Sequence, residues 1–136
     1  MTAVEFIANF EGFQPKAYWD VNHWRVGFGS DTEGPEQANV TRQTRTTRAR
    51  ALQNLAARIH RFEAEAIKEI GPRSWGNLTD NQRTALTDLV YNYGHLPVRV
   101  STDPKKTATA IRALQGANEG INRKRRIAEA ALYLKA

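Results

Sequence analysis

The pattern that most constrains the fold of this chain is a long amphipathic stretch over residues 46–70. Its apolar residues recur at three- and four-residue spacing, as they do along one face of an α-helix. They are Leu52, Leu55, Ile59, Phe62, Ala66 and Ile70. Thr46 or Thr47 can cap the start of this helix, and Gly71-Pro72 ends it. We therefore expect a helical body in which this helix is the longest.

Shorter elements are predicted on both sides of that helix. Helices are expected at residues 3–11 (N-cap Thr2), 79–93 (capping box Thr79 and Gln82), 107–115 and 122–135, two short strands at 17–29 around a turn at 20–23, and loops at 30–45, 95–106 and 118–120. In the last helix, Ile127, Ala131 and Leu134 form the expected buried face. One small N-terminal hairpin followed by helices is an α+β architecture.

Two carboxylates near the N-terminus, Glu11 and Asp20, are the candidate chemistry of the chain. Glu11 closes the apolar run of the first helix, while Asp20 lies among Tyr18, Trp19 and Trp24. A carboxyl among apolar side chains keeps its proton more readily than one in a wetter loop, because burial disfavours the charged form. One proton donor and one ionised carboxylate form the pair that glycoside hydrolysis uses. Structural ion pairs and chance also bring acidic residues together, so spacing alone leaves both interpretations open.

Composition limits the class of protein without deciding its function. A length of 136 residues fits one domain. The formal net charge of +6 favours an anionic partner such as nucleic acid, acidic polysaccharide, cell wall or lipid headgroups. The chain contains no cysteine, which excludes disulfides and thiolate metal sites.

The N-terminal sequence and the hydropathy of the chain indicate where in the cell the protein is made. No apolar run approaches the roughly 18 residues that span a bilayer, so we expect no membrane span. The N-terminal sequence MTAVEFIANFEGF has no basic start and carries Glu5 within its apolar part, so it does not fit a secretory signal. We expect the protein to be made in the cytoplasm and to need another component to reach a substrate outside the inner membrane.

Two groups of basic residues need an explanation. The first lies along the region of the long helix and fits either a DNA-binding helix or the solvated face of a core helix. Its members are Arg42, Arg45, Arg48, Arg50, Arg58 and Arg61. The second, residues 123–126, begins the last helix, where the helix dipole disfavours cations. Basic residues that oppose the helix dipole in this way are typical of a position at which charge serves another purpose. The alternative interpretation is a solvated run of charges on a surface helix.

Three motifs, in order, resemble the phage-type lysozymes, the endolysins of glycoside hydrolase family 24. FEGFQPKAYWD followed by WRVGFGS, within residues 10–30, resembles the family's Glu-Gly, Tyr-x-Asp and Gly-x-Gly pattern. LTDNQ at 78–82 with VYNYG at 90–94 is similar to its central helix, and INRKRR at 121–126 to its C-terminal basic helix. The resemblance implies a single lysozyme-like domain over residues 1–136, with a hairpin lobe (10–45), a helical lobe (46–136) and the active-site cleft between them.

For function, the resemblance implies a muramidase that hydrolyses the β-1,4 bond of peptidoglycan between N-acetylmuramic acid and N-acetylglucosamine. Glu11 would be the general acid that protonates the glycosidic oxygen. Asp20 would be the base that positions water, or else the nucleophile or electrostatic stabiliser of the transition state. A carboxyl separation of about 5–5.5 Å would favour retention of configuration, and about 6.5–9.5 Å inversion; the sequence leaves this open.

The identity of a third catalytic or water-positioning residue also stays open. The family commonly has a Thr six residues after the catalytic Asp, where it helps to hold the attacking water. Here that position is Val26, whereas alignment on the Gly-x-Gly motif puts Arg25 in the Thr position. Ser30 and Thr32 are nearby hydroxyls that could substitute for it.

The resemblance further implies residues that support the two carboxylates and bind sugar. In the family, an Arg at the start of the C-terminal helix pairs with the catalytic Glu, and Arg123 matches it best, with Arg126 second. The candidate substrate-binding residues are Tyr18, Tyr91 and Asn92. The family needs no metal or cofactor, and His23, His60 and His95 share no ligand spacing.

The biological setting follows from the same resemblance. We expect a monomer whose partner is peptidoglycan, with no specific nucleic acid, held in the host cytoplasm until a holin pore admits it to the wall in the periplasm. The alternatives are a lytic transglycosylase on the same bond, a basic nucleic-acid-binding module, and a wall-binding protein with an inactive site. The host species and the preferred wall chemotype cannot be read from the sequence.

Overall fold

The computed structural model describes residues 2–135, apart from the side chains of residues 118 and 119. Its elements in order are α1 (Ala3–Glu11), β1 (Gln14–Asp20), β2 (His23–Gly27), β3 (Thr32–Glu33), β4 (Ala38–Asn39), α2 (Arg48–Ile70), α3 (Pro72–Gly76), α4 (Asp80–Tyr93), α5 (Pro104–Ala113), a 3-10 helix (Leu114–Gly120) and α6 (Arg123–Leu134). Among the helices of the described chain, none combines the length and apolar character that a membrane span requires. The α+β class predicted from the sequence is confirmed.

The chain folds as two compact units that divide within α2. The N-terminal unit is Thr2–His60, and the helical unit begins at Arg61. The sequence-based division between a hairpin lobe and a helical lobe lies earlier, between residues 45 and 46. The single-domain organisation stays a prediction.

The N-terminal unit is built on an antiparallel hairpin of β1 and β2. Its register pairs Tyr18 with Arg25, Trp19 with Trp24, and Asp20 with His23. Because successive residues of a strand point to opposite faces, Tyr18, Asp20 and Arg25 share one face of the hairpin. The turn between the strands holds Val21 at φ 54°, a conformation that β-branched residues rarely adopt.

A second strand pair, β3 with β4, lies in the segment that was predicted to be a loop. Two-residue strands carry no alternating pattern, which is why the sequence did not place them. Glu33 of β3 is anchored to the start of α2, because its carboxylate accepts hydrogen bonds from Thr46 Oγ1 and Arg50 Nε, each at 2.8 Å. The hydrogen bond from Arg50 holds the pKa of Glu33 below its ordinary value, against the opposing effect of burial.

Helix starts follow local capping chemistry. Thr47 caps α2, since its hydroxyl accepts a hydrogen bond from the backbone N–H of Arg50 at 3.2 Å. At α4, Thr79 Oγ1 accepts from the N–H of Gln82 at 3.1 Å, and Gln82 Oε1 accepts from the N–H of Thr79 at 3.0 Å. This capping box is confirmed, and it sets the start of the helix that contributes more residues to the buried core of the helical unit than any other described element.

Two prolines begin helices that the sequence analysis missed or placed too late. Pro72 is the first residue of α3, a short helix that was not predicted. Pro104 is the first residue of α5, which therefore begins three residues before the predicted start at Thr107. A proline at the first helical position loses no intrahelical hydrogen bond, so these prolines start helices. The predicted loop at 118–120 was also wrong, because the backbone there belongs to the 3-10 helix.

The buried face of α6 differs from the predicted one. Ile127 is half-buried, while Ala131 and Leu134 are exposed, Leu134 by 54%. The buried residues are Arg125, Arg126, Glu129, Ala130 and Tyr133. The predicted face was wrong because it was chosen by hydrophobicity alone.

The buried cations of α6 have carboxylate partners inside the helical unit. Arg125 donates to both carboxylate oxygens of Asp88 in α4, at 2.9 and 2.5 Å. Arg126 pairs with Glu129, with Nε 2.5 Å from Oε1, and lies 3.9 Å from Asp88. A charge can be buried when a partner of opposite sign is buried with it, and this explains the basic residues at an unfavourable helix end. We call these four residues the buried charge cluster.

Candidate active site

Glu11 lies at the last position of α1 and is partly buried. Its carboxylate lies close to Gly29, in the turn that follows β2. The position that a Cβ atom would take on Gly29 lies 3.7 Å from Glu11 Oε2 and 3.9 Å from Tyr18 Oη. The Glu11 carboxylate and the Tyr18 hydroxyl therefore lie against one glycine, on the side where a larger residue would approach both of them.

Asp20 is tied to the same glycine through Arg25. Arg25 Nε donates to Asp20 Oδ2 at 2.7 Å, and Arg25 Nη1 donates to the Gly29 carbonyl at 2.8 Å. The Asp20 side chain is 45% exposed, so the carboxylate remains open to a ligand from solution. Glu11, at a helix end, therefore lies against Gly29, and Asp20, at a strand end, is linked to the same glycine through Arg25.

The turn that presents Gly29 depends on glycine. Val26 and Ser30 exchange backbone hydrogen bonds of 2.9 and 3.0 Å, which closes the turn. Gly27 and Gly29 both have positive φ, of 67° and 73°. A Cβ on Gly27 would lie 3.0 Å from the Cβ of Ala51 in α2, so only glycine lets the hairpin pack this closely. Both glycines of the Gly-x-Gly motif are therefore required by the structure: each has a positive φ, and Gly27 also packs against Ala51.

The three candidates for the third catalytic residue, and Val26 at the family's Thr position, have different surroundings. Val26 is 1% exposed and has an apolar side chain, so it cannot hold a water molecule. Arg25 is in direct contact with Asp20. Ser30 and Thr32 bond to each other, with their hydroxyl oxygens 3.1 Å apart, and Ser30 Oγ also accepts from the N–H of Thr32 at 3.0 Å.

A buried asparagine that the sequence analysis did not single out extends this hydroxyl pair. Asn54 of α2 is 2% exposed, and its side-chain amide donates to Thr32 Oγ1 and to the Gly34 carbonyl, each at 3.0 Å. Its Oδ1 accepts from Arg58 Nε at 2.8 Å. In the sequence Asn54 lies between Leu52 and Leu55 of the predicted apolar stripe. A polar residue at that position was the one sequence signal that could have indicated a buried hydrogen-bonding role.

The remaining predicted site residues lie in the helical unit. Arg123 is exposed at the start of α6, and Arg126 is fully buried with Glu129. The pairing of either arginine with Glu11 stays a prediction. Tyr91 packs its ring on Phe62 at a centroid distance of 4.9 Å, and the neighbouring Asn92 is exposed.

The arginines along the long helix divide into two groups. Arg50 and Arg58 are engaged with Glu33 and Asn54 in the N-terminal unit. The exposed members are Arg42, Arg45, Arg48 and Arg61. The exposed group supplies a solvated basic surface, whereas Arg50 and Arg58 hold structure together.

The helical unit contains a cavity of about 720 Å³, which differs chemically from the Gly29 site. Among its described lining residues Glu69 is the single carboxylate, beside Arg99 and Tyr133. It therefore lacks the pair of carboxylates that glycoside hydrolysis requires. Within the described chain, no group of three or more His, Asp or Glu side chains is arranged to hold a metal ion.

This small α+β chain has one carboxylate at a helix end and one at the end of a strand, and two carboxylates are what a glycoside hydrolase of the lysozyme type uses. The chain belongs to the phage lysozyme family, whose family model matches residues 8–129. No curated protein matches this sequence. As a member of this family it is a peptidoglycan muramidase.

Solved structures agree with this assignment. The endolysin from Escherichia coli O157:H7 phage FAHEc1 is 25% identical, with a TM-score of 0.76 over 98% of this chain and 90% of that chain. The muramidase domain of SpmX from Asticaccaulis excentricus is 20% identical, with a TM-score of 0.73 over 98% and 95%. A variant of P22 lysozyme is 21% identical, with a TM-score of 0.71 over 99% of both chains. The latter two likenesses show the fold alone.

Proposed function

We propose that Glu11 and Asp20 cleave the β-1,4 bond between N-acetylmuramic acid and N-acetylglucosamine. The observation that supports this most directly lies within the N-terminal unit: Glu11 lies against Gly29, and Asp20 is linked to the same glycine through Arg25. In this reaction Glu11 gives its proton to the glycosidic oxygen as the bond to the anomeric carbon breaks; water supplies the oxygen of the new C–OH bond, and its second proton passes to a carboxylate of the pair. Asp20 faces the positive charge that develops on the sugar. Tyr18, beside Glu11 at Gly29, is the nearest candidate for a contact with the sugar.

The test of this assignment is Glu11→Gln, which keeps the size of the side chain and removes its proton-donating acid. Loss of a general acid slows such reactions by roughly 10²–10⁴-fold. The rate of clearing of a suspension of purified peptidoglycan measures the effect, and circular dichroism shows whether the fold is kept.

Glu5→Gln is the matched control. Glu5 is an exposed carboxylate on the same helix, where it caps the helix start, and glutamine can also fill that role. The control variant should clear the suspension at the wild-type rate. A Glu11→Gln protein that is folded and clears the wall as fast as its Glu5→Gln counterpart would contradict the assignment.

The biological role that we propose is host cell lysis by an endolysin. Membership of the phage lysozyme family and the likeness to a phage endolysin support it. In this role a monomer accumulates in the host cytoplasm, and a holin pore admits it to the wall in the periplasm. Expression in bacteria with and without a co-expressed holin tests this: lysis should require the holin, and lysis without it would contradict the proposed route.

A further inference from the structure

Arg25 links the predicted catalytic aspartate to the glycine turn. Its Nε lies 2.7 Å from Asp20 Oδ2, and its Nη1 lies 2.8 Å from the Gly29 carbonyl oxygen. The Arg25 side chain is 30% exposed, so these contacts are shielded on one side by the hairpin. Two hydrogen bonds from one planar guanidinium set the orientation of the group and, through it, the orientation of the carboxylate.

The other candidates for this position have different roles. Val26 is buried and apolar. Ser30 and Thr32 are joined to each other, and Thr32 is joined to the buried Asn54. These hydroxyls hold the turn after β2 against α2, where they stabilise the conformation of the loop. Arg25 is the member of the set whose described contacts include Asp20.

An arginine has a chemical consequence that a hydroxyl would not have. A hydroxyl both donates and accepts hydrogen bonds, so it can share a water molecule with a neighbouring base, whereas a guanidinium only donates. A proton placed on Asp20 Oδ2 would remove both the hydrogen bond and the ion pair with Arg25. With Oδ2 held in this way, Oδ1 is the oxygen that remains available to the sugar.

We propose that Arg25 is a positioning residue that holds the Asp20 carboxylate by its Oδ2 and leaves Oδ1 for the sugar. This inference rests on the proposed function of Asp20.

Removal of the guanidinium tests this positioning role. Arg25→Met keeps an unbranched stem and removes the donors. If Arg25 positions Asp20, misplacement of the carboxylate should lower kcat by roughly ten- to a hundredfold, while KM stays within about twofold. If Arg25 does not position Asp20, kcat should stay close to the wild-type value.

Arg25→Lys and Arg45→Gln complete the experiment. Lysine keeps the charge but cannot donate to Asp20 and Gly29 with the fork of a guanidinium, so Arg25→Lys should restore part of the lost kcat. Arg45 is an exposed arginine of the same unit, and Arg45→Gln removes the same charge away from Asp20. It should leave kcat unchanged.

The kinetics are measured on solubilised peptidoglycan glycan strands, with thermal melting as a check on folding. A low kcat for Arg25→Met with partial recovery in Arg25→Lys supports the inference. An unchanged or higher kcat in Arg25→Met, or full activity in Arg25→Lys, overturns it. If Arg25→Met does not fold, the activity of Arg25→Lys tests the inference: partial activity supports it, and full activity overturns it. A folded but inactive wild-type protein would overturn both this inference and the proposed function, whereas an active wild type with an unaffected Arg25→Met overturns only the inference.

Discussion

Asp88→Asn should strongly destabilise the helical unit. Asp88 is fully buried and receives two hydrogen bonds from Arg125, at 2.9 and 2.5 Å, with Arg126 at 3.9 Å. Asparagine has nearly the same shape but no charge, so the buried guanidinium of Arg125 would lose its carboxylate partner. Removal of one partner from a buried ion pair costs about 3–5 kcal/mol.

The predicted loss is large compared with the stability of a typical domain, which is about 5–15 kcal/mol. With a urea dependence of about 2 kcal/mol per molar, a loss of about 4 kcal/mol lowers the unfolding midpoint by about 2 M. Urea unfolding followed by far-ultraviolet circular dichroism measures this shift, because most of the helical signal comes from the elements involved.

Asp80→Asn provides the comparison for that experiment. Asp80 lies on the same helix and pairs with Arg83 at 3.3 Å, but its side chain is 100% exposed. Its loss should move the midpoint far less, because water screens an exposed pair. An Asp88→Asn midpoint within about 0.5 M of the wild type would refute the argument that the buried charge cluster depends on Asp88.

Two further predictions concern stability. Burial and the adjacent Asp88 raise the pKa of Glu129 from its ordinary value of 4.5, against the opposing effect of Arg126. The folded chain then keeps a proton that the unfolded chain releases, so the free energy of unfolding should fall as pH rises above about 4.5, by at most about 1.4 kcal/mol per pH unit. Glu129→Gln should flatten this slope in unfolding experiments at several pH values. Equal slopes for the variant and the wild type would contradict the role of Glu129. Val21 has φ 54° and is 88% exposed, so Val21→Asn relieves backbone strain without loss of packing and should raise the free energy of unfolding by about 1 kcal/mol. An unchanged or lower value would mean that the turn is not strained.

The features that were predictable depend on residues close together in the chain. Thr79 and Gln82 are three residues apart, and a capping box needs nothing beyond that spacing. The stripe of α2 and the short hairpin follow from periodicity in the same way. Glu11 and Asp20 were singled out from the fixed order of residues in the surrounding motif, and their catalytic roles stay a prediction.

The errors arose where a distant residue decided the outcome. Hydrophobicity placed Ala131 and Leu134 inside α6, yet the helix buries Arg125 and Arg126. Asp88, 37 residues before Arg125, compensates the charge of the buried arginine, and no local pattern connects the two positions. The buried Asn54 has the same explanation, because its partners Thr32 and Gly34 belong to a distant loop.

The sequence by itself determined the α+β class and most helix starts, since each depends on short-range spacing. The tertiary structure alone decided which residue stands beside Asp20. Counting six residues from Asp20 places Val26 at the family's Thr position, whereas alignment of the Gly-x-Gly motif places Arg25 there. The two alignments differ by one residue in the length of the hairpin turn. Because a shift of one residue moves a side chain to the opposite face of a strand, only the folded register could show that Val26 is buried and that Arg25 contacts the carboxylate.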